Sequence, residues 1–277
     1  TKGQGSILLI STRPTVGLST SLPIFSPNGD GSKDTVTFSY SISYPTFYLT
    51  GEALVKLEVI NSSNEAVWSK TFNQTAGNYV YEYDGTTPLP LGEGGELASA
   101  GEGLKAGVYF VRISAEDPLG TTAVPQTVNL AVDYAEPTVA NLLVAPAIFS
   151  PQPNGVGDQV VISHTLAKPA YVTVKVIDQQ LQVTRTLRNN QLTEAYLPAN
   201  SNQSTVNGIK ALAIPTVVWD GKDETGNYAA DGTYTIEVSA LDAAGNTHQS
   251  KKTVEVDNTL PIVPQVALLP ANTNEAV

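Results

Sequence analysis

Phe25-Ser26-Pro27-Asn28-Gly29-Asp30-Gly31-Ser32-Lys33-Asp34-Thr35-Val36 is the stretch that decides the fold, because it comes back. Phe149-Ser150-Pro151 repeats its opening 124 positions on (149 minus 25), and Asp158 repeats Asp34 at the same offset. The pattern that follows repeats too: Val36, Phe38, Tyr40 and Ile42 align with Val160, Ile162, His164 and Leu166. Further along, Gly107-Val108-Tyr109 returns as Gly232-Thr233-Tyr234, and Val132-Asp133 as Val256-Asp257. Self-similarity at a fixed long period marks a tandem array of structural units.

The junctions extend the pattern. Thr12-Arg13-Pro14-Thr15-Val16, Ala135-Glu136-Pro137-Thr138-Val139 and Thr259-Leu260-Pro261-Ile262-Val263 are three versions of one lead-in. The expected organisation is therefore a terminal strand over residues 1–11, one repeat over 12–134, a second over 135–257, and over 258–277 the lead-in of a further repeat. Ile7, Leu8, Leu9 and Ile10 stand where Leu130 to Asp133 close the first repeat.

Inside each repeat the apolar residues alternate with period two. Val55, Leu57 and Val59 are interleaved with Lys56 and Glu58; Tyr109, Val111, Ile113 and Ala115 alternate in the same way, as do Val172, Val174 and Val176. That is the signature of half-buried β-strands. Between the runs lie turn clusters such as Asn61-Ser62-Ser63-Asn64, Asp84-Gly85, Asp220-Gly221 and Ala244-Gly245-Asn246. No stretch has a helical period. The fold class expected is all-β, two tandem immunoglobulin-like or fibronectin-III-like sandwiches.

Composition narrows the function classes. The 277 residues hold 15 Lys plus Arg against 26 Asp plus Glu, a net charge of −11, which argues against nucleic acid as a partner. There is no cysteine, so disulfides, thiolate metal sites and Cys nucleophiles are excluded. No apolar run reaches the roughly 20 residues that span a bilayer as a helix, so no membrane insertion is expected. The chain opens at Thr1, has no methionine and no leader, and reads as a processed or excised piece. Abundant small polar residues without cysteine suit a bacterial cell surface or an extracellular location.

The Phe-Ser-Pro opening resembles that of bacterial flagellar hook-capping-type immunoglobulin-like domains and of related C-terminal modules of gliding-motility-associated surface proteins. Val218-Trp219-Asp220-Gly221-Lys222-Asp223-Glu224-Thr225-Gly226-Asn227, followed by Ala230-Asp231-Gly232-Thr233-Tyr234, is similar to that family's Trp-Asp-Gly hairpin and the strand after it. The first repeat departs from the pattern. Tyr83 stands for the Trp, and a Gly-rich insertion, Gly85 to Gly103, breaks the hairpin. The resemblance implies an exported β-sandwich used as a spacer, stalk or assembly module; it does not imply an active site.

The residues offer few alternatives. Asn28, Asp30, Ser32 and Asp34 set oxygen side chains at alternate positions around two glycines, a fragment of a Ca²⁺ loop. In the second repeat the equivalents Gln152, Asn154, Val156 and Asp158 are a poorer set. Calcium is the one cofactor the sequence suggests. Against it stands the ordinary reading, a turn whose Asn and Asp bond their own backbone. Asp220, Asp223 and Glu224 form an acidic cluster in a hairpin turn, where Asp-Gly is turn chemistry. His164 aligns with Tyr40 on an inward strand position, and His248 lies in a polar stretch. With no Gly-x-Ser-x-Gly elbow and no ligand pair, no enzyme is expected and no catalytic residue is assigned. Trp68, Trp219, Tyr79, Tyr81, Tyr83, Tyr109 and Tyr234 sit at strand positions that fill a core or its rim, with sugar stacking as the alternative.

The functional expectation is a non-enzymatic structural module, a subunit or stalk of a surface appendage or extracellular filament. Its partners would be neighbouring copies or domains of the same protein, joined head to tail by sharing strands through Ile7, Leu8, Leu9, Ile10, Val263, Val266 and Leu268. A glycan- or host-binding adhesin module and a set of ancillary domains from a larger secreted enzyme are the alternatives.

Overall fold

A computed structural model describes residues 13–44, 51–86, 103–152, 155, 157–194 and 216–260. Sixteen strands and no helix occur among them. The first half of the chain supplies β1 (Thr15–Thr20), β2 (Ile24–Phe25), β3 (Val36–Ser43), β4 (Ala53–Asn61), β5 (Ala66–Gln74), β6 (Gly77–Tyr83), β7 (Gly107–Glu116) and β8 (Gln126–Val132). The second half supplies β9 (Val139–Ala145), β10 (Ile148–Phe149), β11 (Val160–Leu166), β12 (Ala170–Ile177), β13 (Val183–Thr193), β14 (Thr216–Trp219), β15 (Gly232–Leu241) and β16 (Thr247–Val256).

Each half builds the same pair of sheets. In the first, β1-β3-β6 forms a three-stranded sheet and β2-β8-β7-β4-β5 a five-stranded one. In the second, the orders are β9-β11-β14 and β10-β16-β15-β12-β13. Strand for strand, β1 to β8 correspond to β9 to β16. Neighbours are antiparallel, except that the two-residue strands β2 and β10 run parallel to β8 and β16. Two compact units result. One gathers β1–β8 with Lys168–Ala170 and Leu241–His248, and the other holds the rest.

The period-two alternation maps directly onto burial. Val36, Phe38, Tyr40 and Ile42 point inward from β3, as Val160, Ile162, His164 and Leu166 do from β11. Val55, Leu57 and Val59 face them from β4 in the first unit, and Val172, Val174 and Val176 from β12 in the second; all six are fully buried. Each such aliphatic side chain contributes about 1.5–3 kcal/mol by leaving water.

Five hairpins close with one device. Asn61, Asp117, Asp178 and Asp242 each end or follow a strand, and Asp223 follows the bridge residue Lys222. Each accepts, on its side-chain oxygen, the N–H groups two and four residues ahead, at 2.8 to 3.0 Å. Three residues on, the backbone turns left-handed at Asn64, Gly120, Leu181, Gly226 and Gly245. A three-residue turn ending in a left-handed position joins antiparallel strands without splaying them. The anchoring carboxylate or amide satisfies N–H groups the ladder cannot reach.

Candidate functional site

The two sequence signatures of each repeat meet in space. In the first unit the Phe25 ring lies 6.4 Å from Tyr83, and in the second Phe149 lies 5.2 Å from Trp219, edge to face. Gly85 follows Asp84 with φ +78°, and a Cβ there would sit 2.5 Å from Pro27. Gly221 is in the same place with φ +72°, and its Cβ would strike Pro151. The Asp-Gly turn therefore needs glycine twice over, for its left-handed backbone and for the close approach of proline. The Phe-Ser-Pro and aromatic-Asp-Gly motifs are two halves of one packing contact.

The hairpin that follows corrects one expectation. In the second unit Ala229 N–H donates to Gly221 O at 2.8 Å; in the first, Leu104 N–H donates to Gly85 O at 2.9 Å, and Thr86 bridges Gly103. The Gly-rich insertion does not break the first repeat's hairpin. Its stem closes at the same carbonyl, and the extra residues, 87–102, lie outside the described residues. The aromatic difference does have a consequence. Trp219 Nε1–H donates to Lys222 O at 3.0 Å, whereas the buried Tyr83 hydroxyl has no partner among the described residues, and burial pushes its pKa up.

Asn28, Asp30, Ser32 and Asp34 come together as the ordinary turn reading requires. Asp34 Oδ1 accepts from Gly29 N–H and Oδ2 from Gly31 N–H, both at 2.7 Å. Asn28 Oδ1 accepts from Asp30 N–H, Asp30 Oδ1 from Ser32 N–H, and Asn28 Nδ2 donates to Asp30 Oδ2. The Gly29 N–H, helped by its neighbours, holds the exposed Asp34 carboxyl below the usual carboxylate range. In the second repeat Gly155 N–H donates to Asp158 Oδ2 at the same 2.7 Å; Asn154 and Val156 lie outside the described residues. Among the described residues no three His, Asp or Glu side chains gather as a metal set.

The acidic cluster does not converge; each carboxylate has its own partner. Asp220 Oδ1 pairs with Arg185 Nη1 at 2.9 Å. Asp223 anchors its own turn, and the Thr225 hydroxyl, helped by the N–H groups of Thr225 and Asn227, holds its carboxyl low. Glu224 covers the edge of β13: its N–H donates to Thr184 O, and its Oε1 accepts from Thr186 N–H at 2.6 Å. An unpaired strand edge is a template for unwanted pairing, and an acidic side chain seated on it blocks that. Counting from the turn anchor, Arg185 occupies the place of Trp68 in the first unit. There Trp68 packs 4.9 Å from Tyr83 and 5.3 Å from Tyr81.

The remaining aromatics have packing or hydrogen-bond partners of their own. Tyr109 hydroxyl donates to Lys105 O at 2.9 Å and Tyr234 hydroxyl to Ala230 O at 3.0 Å, both four residues back, the tyrosine corner of Greek-key sandwiches. Tyr79, Tyr81 and Phe72 line the rim between β5 and β6, with Lys70 Nζ over the Tyr81 ring at 5.0 Å. Ile7, Leu8, Leu9, Ile10, Val263, Val266 and Leu268, expected to join copies, lie outside the described residues. Sequence reading missed the Arg185–Asp220 pair and the Glu224 cover. The constant spacing from Asn61 to Trp68 and from Asp178 to Arg185 is the signal that finds the first.

Among known families, one domain description matches residues 199–244, from before β14 to the turn anchored at Asp242. That description is of a FlgD Ig-like domain, to which this part of the second repeat is similar. The match spans Trp219-Asp220-Gly221 and Gly232-Thr233-Tyr234, the residues that place the Phe149 contact and the tyrosine corner. Among solved structures, the chain is similar to the fibronectin(III)-like modules of Clostridium thermocellum CbhA, at 13% identity over 87% of this chain and 93% of that one, with a TM-score of 0.40. It is also similar to the FN1–FN3 domains of chicken CNTN1, at 10% identity over 88% and 67%, with a TM-score of 0.38. A 1.5-MDa bacterial ice-binding adhesin is similar at 12% identity over 88% of this chain and 65% of that one, with a TM-score of 0.40. No curated protein matches the sequence.

Proposed function

We propose that this chain is a non-enzymatic spacer of an exported bacterial protein, an extracellular or cell-surface stalk whose copies or neighbouring domains join head to tail. One observation carries the reading. The polar motifs that could have been chemistry (the Asn28–Asp34 loop, the Asp220–Glu224 cluster, the paired tyrosines) are engaged in holding turns and edges. The same turns recur from unit to unit. Among the described residues each half already fills eight strand places. A strand shared from Ser6–Ile10 of another copy would therefore add to an edge and fill no gap, through main-chain hydrogen bonds and pockets for alternate side chains. Such a contact is heterologous and does not close on itself, so it extends.

Electron microscopy and light scattering of the full chain and of a chain lacking residues 1–10 test this. The expected result is elongated polymers from the full chain, and monomers with unchanged melting from the shorter one. Identical behaviour of the two overturns strand sharing. Calcium at Asn28, Asp30, Ser32 and Asp34 is part of the same proposal, as a stiffener of the first unit's loop. Binding heat at millimolar Ca²⁺ that disappears in Asp34→Ala supports it, and its absence removes it. The glycan-binding alternative rests on the partly buried rim of Phe72, Tyr79 and Tyr81; a defined hit on a glycan array that is lost in Tyr81→Ala would favour it.

A further inference from the structure

The inner face of β11 carries a residue that the spacer reading does not use. His164 is fully buried, and among the described residues neither Nδ1 nor Nε2 has a hydrogen-bond partner. The equivalent place in the first unit is occupied by Tyr40, whose hydroxyl donates to Gln74 Oε1 at 3.1 Å. One unit thus solves this position with a neutral, bonded phenol, while the other holds a titratable ring with nothing bonded to it.

Among the described residues, the surroundings offer the ring no counter-charge. The flanking strands β9 and β14 contain no titratable side chain. From the opposing sheet, β12 presents Ala170, Val172, Val174 and Val176, and β16 presents Val254 and Val256. β16 also carries His248, half-buried near its start, and Lys252, which donates to Leu142 O; the inward polar group of β15 is Tyr234, tied to Ala230. The charge set against His164 is a cation, Arg188 of β13. Burial first, then Arg188, pushes the imidazole down to about 4 from its ordinary 6.5.

We propose that His164 makes the second unit acid-labile, so that mild acid opens it while the first unit keeps its fold. The sign follows from linkage. The folded unit keeps the ring neutral, whereas the unfolded chain takes up the proton at its ordinary value. Below about pH 6.5 the unfolded state therefore binds more protons, and stability falls with pH until the folded ring itself titrates. The stability is fully present above that window and is lost through it. The folding equilibrium constant of the second unit should drop nearly tenfold per pH unit there.

The chain supplies its own reporters, because Trp68 and Trp219 are its two tryptophans, one in each unit. In the full chain carrying Trp68→Phe, urea unfolding followed through Trp219 reads the second unit. In Trp219→Phe, Trp68 reads the first. Between pH 7 and pH 5, above the carboxylate range, the second unit's folding constant is expected to fall by about twentyfold and the first unit's by less than about threefold. His164→Leu, added to the Trp68→Phe chain, should remove the second unit's dependence. A flat second unit, equal slopes in both units, or a slope that survives His164→Leu overturns the proposal. Should the Leu variant not fold, ring signals of the unsubstituted chain decide by nuclear magnetic resonance. The proposal requires His164 to stay in its neutral form at pH 5 in the folded unit, and a titration near 6.5 contradicts it.

Discussion

At the residue scale, the two repeats show how far one glycine can differ from another. Gly221 combines a left-handed backbone with a Cβ direction filled by Pro151 and, at 3.1 Å, by Phe149. Gly31 is equally left-handed at φ +88°, but nothing lies within 4 Å of where its Cβ would be. Gly31→Ala is therefore expected to cost only the conformational term, about 1 kcal/mol. Gly221→Ala must also push apart the Phe-Ser-Pro contact, and is expected to cost more than about 3 kcal/mol. Urea denaturation of the two variants, each read in the unit that carries it, checks the ordering. Equal costs would mean that the proline contact has little to do with why the turn is Asp-Gly. Both glycines were legible as turn residues from sequence. The difference between them was not, because Pro151 is 70 positions from Gly221 and only folding brings it there.

At the element scale, the outer face of the first unit's five-stranded sheet depends on a charge that water hardly reaches. Glu58 on β4 is 5% exposed. Its carboxylate is held by Lys56 at 2.7 Å and, from β7, by Arg112 through Nε at 2.9 Å and Nη2 at 2.8 Å. Burial alone would raise this carboxyl; the bonds and charges of Lys56 and Arg112 outweigh it and hold the group below its ordinary value. Removing Arg112 strands a buried charge, so Arg112→Ala should cost about 3 kcal/mol. Lys56 is half in water, and Lys56→Ala should cost under about 1 kcal/mol. The stability from Glu58 is present above its unfolded-state value, near pH 4.3, and is lost as pH falls through the lower folded one. Arg112→Ala should flatten that part of the first unit's acid profile; an unchanged profile would contradict the assignment. Alternation placed Glu58 on the outer face correctly. It could not show that a face normally open to water would be covered by a cross-strand pair.

At the scale of the whole molecule, the repeat period and the strand alternation carried nearly the entire architecture, because both are local or periodic in the chain. The contacts that determine what the motifs do are long-range, and these needed coordinates. The length of the Gly-rich insertion suggests a broken first hairpin. The stem is set by Gly85 and Leu104 at its base, and loop length costs little once the base closes. The acidic cluster was recognisable as turn chemistry, but the role of Glu224 on the edge of β13 depends on a strand about 40 residues upstream. The two units share one set of turns and core positions, and the proposed head-to-tail joining would run through residues 1–10 and 261–277. Hydrogen exchange read by mass spectrometry over residues 1–10 and 261–277 tests that claim most directly. Slow exchange in both segments at assembling concentrations, turning fast on dilution, is the result expected. Fast exchange in both at every concentration would contradict head-to-tail joining through the ends.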